Sequence, residues 1–270
     1  MRGGLALLRH SARRTRTIVL AMAGLLAGFQ ILFALAASSF QEFDMFDRLT
    51  TLIPDVVRQL LGPSIVTILS FSGIVCLGYF HVAIVAAMVG LVIAIATEPA
   101  AEVENRFLDL VLAHPLARHW VITRSIALLG GSIGLVVAAM LLGTRAGLYW
   151  LASAETARDA FRIVPTLSLN LAVLLLCWGA IALVLAAMAR RRSVAGAIAG
   201  LSAMVCYVMD VISQVWRPLR PVARFSPFHY YNSLNLIMGS TDAKRDMLIL
   251  AGIAAAGFLL AYLLFSRRNL

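Results

Sequence analysis

Six apolar runs alternate along this chain with short segments that carry almost all of its charge. A bilayer core about 30 Å thick is crossed by about 20 residues of helix, so each run is read as one span. The runs cover residues 18–38, 64–97, 120–142, 163–189, 194–213 and 247–265. The second, of 34 residues, would be about 50 Å long as a straight helix. That length predicts either a tilted, overlong helix or a bend near Ser72 and Gly73. Cutting the run into two spans would leave a tight turn without charges and put the chain ends on opposite sides, so six spans are expected.

Composition strengthens this reading. Hydrophobic residues make up 61% of the 270 and charged ones 13%, with a mean hydropathy of +0.90, outside the range of a water-soluble domain. The expected fold is an all-α integral membrane protein, a single transmembrane domain over residues 1–270 with lipid as its solvent. The net charge of +10 does not point to nucleic acid, because the basic residues flank apolar spans and form no basic domain of their own. Arg2, Arg9, Arg13, Arg14, Arg16, Arg190, Arg191, Arg192, Arg267 and Arg268 fall at the termini and between spans four and five. By the rule that short basic connections stay inside, both termini are expected in the cytoplasm, in a multi-pass protein of the bacterial inner membrane. The first run leads into five more spans, so no cleavage as a signal peptide is expected.

Before the first span, Leu5, Leu8 and Ala12 recur at helical spacing and Arg9, Arg13 and Arg16 take the other face. This suits an amphipathic interfacial helix on the inner surface, or a basic flank that only sets topology. Residues 41–62 mix Phe43, Phe46, Leu49 and Leu52 with Glu42, Asp44 and Asp47, which suggests a short interfacial helix broken near Pro54. Residues 143–162 read as a similar outer connection. The third outer connection differs. Pro218 and Pro221 alternate with Arg217, Arg220 and Arg224, and SPFHYYN follows at 226–232. Its aromatics suit a re-entrant or surface-lying segment.

Candidate chemistry is sparse. The chain has no GxxxxGK[ST] loop and a single lysine, Lys244, so it carries no recognisable means of binding ATP. The five histidines are scattered without metal-ligand spacing, and Cys76, Cys177 and Cys206 lie in different spans, read as buried apolar residues. Catalytic, cofactor and metal sites are therefore not expected. Polar groups in hydrocarbon are costly, which makes Gln30, His81, Asn170 and Asp210 candidates for a translocation path. The alternative for the first three is an interhelical hydrogen bond. For Asp210, near the outer end of span five, it is hydration or a pair with Arg217.

The most informative stretch is TEPAAEVENRFLDLVLAHPLARHWVITRS at 97–125. Val103, Phe107, Leu110 and Val111 share one helical face, with Glu102, Arg106 and Asp109 opposite, so residues 102–113 read as an amphipathic cytoplasmic helix stopped by Pro115. Glu102 and Arg106 are spaced to pair along it.

ENRFLDLVLAHPLAR at 104–118 resembles a segment of type-2 ABC exporter permeases that reads roughly E-x-G-T-L-(D/E)-x-L-L-x-x-P-(V/L)-x-R. Glu104, Leu108, Asp109, Leu110, Leu112, Pro115, Leu116 and Arg118 match. SPFHYYN resembles the S-P-F-x-Y segment of that family, and FSRRNL at 265–270 its F-x-R-R-D ending. Arg106 and Phe107 stand where the family commonly has Gly-Thr, and Asn269 where it often has Asp.

The resemblance implies a permease that forms a homodimer or a heterodimer with a related permease. It also implies two copies of a separate cytoplasmic ATPase, which bind ATP and Mg, while this chain itself performs no catalysis. The helix after span two would then be the coupling element, with Glu104, Arg106, Phe107, Asp109 and Arg118 at the ATPase contact. An amphipathic cytoplasmic helix is in itself a suitable knob for a groove in a soluble partner. The same helix would serve a membrane anchoring or assembly protein that recruits a partner without transport. A lipid-modifying enzyme would need a catalytic cluster the sequence lacks, and an ion-driven carrier would need more embedded carboxylates than Asp210.

Overall fold

The computed structural model describes residues 2–42, 70–105, 119–237 and 243–267, and among them every regular element is helical. In chain order these are α1 (Arg2–Glu42), α2 (Phe71–Phe80), α3 (Val82–Ala96), α4 (Glu98–Glu104), α5 (His119–Leu151), α6 (Ala154–Met188) and α7 (Arg192–Val215). A 3-10 turn (Arg217–Leu219), α8 (Arg220–Ala223), a second 3-10 turn (Pro227–Tyr230), α9 (Ser233–Ile237) and α10 (Ala243–Ser266) complete the order.

Six helical stretches are long and apolar enough to cross a membrane: Ser11–Gln41, Phe71–Glu104, Trp120–Leu151, Ala154–Met188, Arg192–Val215 and Lys244–Ser266. They correspond one to one with the six apolar runs. α6 sits at the centre, packed against α2, α3, α5, α7 and α10, and it buries Leu167, Leu171, Leu174, Leu175, Trp178 and Leu183. α1, α7 and α10 instead turn large apolar side chains outward, among them Leu20, Leu32, Leu201, Met204 and Leu248. That arrangement suits helices whose outer faces meet hydrocarbon rather than water.

Small residues set the closest approach. Gly143 and Gly147 lie one turn apart on α5 and face α1. A Cβ at Gly143 would lie 2.5 Å from the Ala27 carbonyl oxygen, and one at Gly147 would lie 2.7 Å from the Ala34 Cβ. Only glycine allows the two backbones this contact, as in the small-xxx-small packing of membrane helices.

Three expectations change. The long second run does bend, but at His81 rather than at Ser72 and Gly73. His81 is extended (φ −63°, ψ 126°) between α2 and α3, while the Ser70 hydroxyl caps the start of α2 by accepting from the Gly73 N–H at 3.1 Å. Residues 143–162 are almost entirely helical and continuous with the helices on either side. α5 continues to Leu151 and α6 begins at Ala154, capped by Ser153, so the two form one long helical hairpin. At its amino end α1 runs from Arg2 into the first span without a break, so residues 2–17 are not a separate surface helix. The interfacial helix expected near Pro54 lies outside the described residues.

Candidate functional site

The first polar cluster lies at the end of the bundle where α1 begins. Thr97 ends α3, and Pro99 in the first turn of α4 is where proline suits a helix start, because that N–H has no intrahelical partner. α4 carries Glu98, Glu102 and Glu104, and each carboxylate finds a cation or N–H on another helix. Glu98 pairs with Arg192 of α7 at 3.0 Å and more loosely with Arg14 of α1 at 3.6 Å. Both oxygens of Glu102 accept from Arg124 Nη2 of α5, at 2.6 and 2.7 Å, with the two side chains only 10% and 4% exposed. Glu104 Oε2 accepts from the backbone N–H of Arg192 at 3.0 Å, one of the unsatisfied donors at the start of α7, where negative charge is favoured. Arg192 also donates to the Ala94 carbonyl at 3.0 Å. The short helix is thereby tied to α1, α5 and α7.

Sequence reasoning pairs Glu102 with Arg106 on a helix over 102–113. The helix that holds Glu102 starts at Glu98 and ends at Glu104, capped by Asn105, and Glu102 turns inward to Arg124. Arg106, Phe107, Asp109 and Arg118 lie outside the described residues, so Glu104 alone of the five expected contacts has a described position. Glu98, Arg124 and Arg192 were missed as members of this cluster. Their signal was present: two carboxylates at i and i+4 directly after a span, and an arginine at the start of each of two later spans.

The second cluster lies towards the other end of the bundle. After α7, Pro218, Pro221 and Pro227 keep the helical pieces short. The segment then folds back against the bundle. The Ser226 hydroxyl donates to the Cys206 carbonyl at 3.0 Å, nine residues before the end of α7 at Val215, or about 14 Å along the helix. Phe228 packs tilted at 5.4 Å against Trp178 of α6 and meets Tyr207 edge-on at 5.5 Å. The Tyr231 hydroxyl donates to the Tyr79 carbonyl. The SPFHYYN stretch thus packs against α2, α6 and α7.

Between this segment, α3 and α7 lies a cavity of about 560 Å³. Val85, Val89 and Ile93 form one wall, Ala203, Tyr207 and Asp210 another, and Phe228 and Tyr231 close one end. It opens toward the outer faces of α3 and α7, where Val82, Met204 and Val211 are exposed. Gly90 and Gly200 also line it, and a Cβ on either would meet nothing within 4 Å. These two glycines leave space, unlike Gly143 and Gly147, which permit contact. Asp210 Oδ1 lies 3.4 Å from His229 Nδ1, an ion pair only when the imidazole is protonated. The sequence expectation of an Arg217 partner is replaced by this one.

Of the four residues considered for a path, only Asp210 lines the cavity. His81 sits at the helix break between the lining residues Phe80 and Val82, and is exposed. Gln30 is fully enclosed against Gly78 with neither side-chain polar atom hydrogen-bonded, and Asn170 is enclosed with its Oδ1 unpaired. The interhelical hydrogen bonds considered for these two are not formed by those atoms. Tyr79 and Thr144 do bond across α2 and α5, at 2.9 Å.

Among the described residues no group of three His, Cys, Asp or Glu is arranged to hold a metal ion, and the three cysteines are free. What the described residues do show is a cavity beside Asp210 and a set of ionic contacts that tie α4 to three other helices. No family model matches the chain, and no curated protein matches it.

Proposed function

We propose that this chain is the permease subunit of an ATP-driven exporter of the ABC-2 type, with a separate cytoplasmic ATPase in two copies as its partner. The observation that carries the proposal is the anchoring of α4. A connection that received force from a soluble partner would have to pass it to several spans at once. Glu98, Glu102 and Glu104 supply such attachments to α1, α5 and α7.

In this reading ATP and Mg are bound by the ATPase, which grips the connection at Arg106, Phe107, Asp109 and Arg118. Its closure displaces α4, and the ionic contacts carry the displacement to α7, one wall of the cavity. A discrete rearrangement is expected rather than continuous bending, because packed interfaces switch between arrangements. The permease works as a dimer in the cell membrane, with both termini cytoplasmic, and the residue motifs at 104–118, 226–232 and 265–270 support the family assignment.

The test is co-purification of the tagged chain from its native membrane. A Walker-motif ATPase at equal stoichiometry is expected, and it should be lost when Phe107 and Asp109 are both replaced by alanine while membrane insertion is kept. An intact, dimeric chain without an ATPase would overturn the proposal and favour an anchoring protein.

A further inference from the structure

We propose that the cavity beside Asp210 binds a lipophilic monocation, an organic cation whose charge is carried on a ring-bearing apolar body. Taking that cavity as the substrate site rests on the transporter reading, but the binding itself needs no ATPase.

The volume of about 560 Å³ is that of a small-molecule site, within the usual range of about 300–1,000 Å³. Four aromatic side chains line it: Phe80, Tyr207, Phe228 and Tyr231. Aromatic faces attract cations and also pack against apolar rings. Asp210 is the single charged residue on the described lining, and its side chain is 16% exposed. A carboxylate facing an apolar space is costly to leave uncompensated, and a monovalent cation is what compensates it.

Its present neighbour favours exchange. His229 lies at 3.4 Å and is 39% exposed, and it carries charge only when protonated. Arg217, Arg220 and Arg224 are exposed and off the lining, so an incoming cation displaces no permanently charged partner. An anion of the same shape would face Asp210 across an apolar cavity. A neutral body would keep the ring contacts alone.

Equilibrium binding of radiolabelled tetraphenylphosphonium to the purified full-length chain in lipid nanodiscs, without an ATPase, tests this. Saturable binding is expected, weakened at least tenfold by Asp210→Asn and retained by Asp210→Glu. Gly200→Phe should abolish binding by filling the space, with Asp210 untouched and elution and thermal stability unchanged. Neutral triphenylphosphine oxide and anionic tetraphenylborate should compete at least tenfold more weakly than the unlabelled cation. Equal binding by the Asp210→Asn variant, equal competition by tetraphenylborate, or no saturable binding would each overturn the inference. A chain that binds the cation but brings down no ATPase would refute the transporter reading alone, and one that brings down the ATPase but binds no cation would refute this inference alone.

Discussion

Two acid–base contacts at opposite ends of the bundle differ in almost every physical respect. Glu102 and Arg124 are nearly enclosed and joined through two short hydrogen bonds. Asp210 and His229 meet at 3.4 Å beside an open cavity. A permanently charged arginine held by both oxygens of a carboxylate has little freedom, and removing either partner strands a charge. A partly exposed histidine at the edge of a cavity can move aside. The first contact is built to hold and the second to be exchanged.

The sharpest way to break this contrast is at the enclosed pair. Arg124→Ala should destabilise the protein by about 3–5 kcal/mol, because Glu102 is left buried without a cation. Thermal unfolding in mild detergent would measure it. The double replacement Glu102→Leu with Arg124→Met should cost less than either single one, since no charge is then stranded. If Arg124→Ala left the melting temperature unchanged, the pair would not be holding the helices.

A purely steric control comes next. Gly143→Leu forces a side chain onto the Ala27 backbone and should cost about 1–3 kcal/mol in the same assay. By contrast, Gly90→Ala on the cavity wall, where a Cβ meets nothing within 4 Å, should leave the melting temperature unchanged or raise it, since alanine is favoured over glycine in a helix by up to about 1 kcal/mol.

At the exchangeable contact the effect on stability should be smaller again. Asp210→Asn is expected to change unfolding by less than about 1 kcal/mol, given a partly exposed partner. A larger loss would place Asp210 with the structural pairs. The smallest effect belongs to Arg14, which is 57% exposed and 3.6 Å from Glu98. Arg14→Ala should cost no more than about 0.5 kcal/mol, and less at high salt.

The spans were legible because the bilayer imposes a simple requirement: a run of about 20 apolar residues must be helical to satisfy its backbone. The bend in the second run was legible from its length, but not its position. No proline marks the extended backbone at His81, and the nearest glycine, Gly78, stands three residues earlier inside α2. The hairpin after Leu142 was hidden because Arg145, Arg158 and Arg162 resemble the flank of a span, whereas helix propensity continues through them. Arg145 in fact lies 5.6 Å from the Phe161 ring centroid, across from α5 to α6.

Glu102 shows the limit most clearly. Along the chain its nearest basic residue at helical spacing is Arg106, and local pairing is what a one-dimensional pattern can supply. The partner in space, Arg124, is twenty-two residues away on another helix.

Periodicity and hydropathy by themselves determined that this protein is helical, that it has six stretches long and apolar enough to cross a membrane, and that the connection after the fifth is unusual. They act through local backbone chemistry and the solvent, and both are written in consecutive residues. Tertiary structure alone decided which carboxylate meets which cation, that SPFHYYN folds back beside α7, and that Gly90 and Gly200 face space while Gly143 and Gly147 face α1. Those outcomes depend on how helices distant in sequence rotate and pack against one another, and a glycine on a helix carries no mark of what lies opposite it.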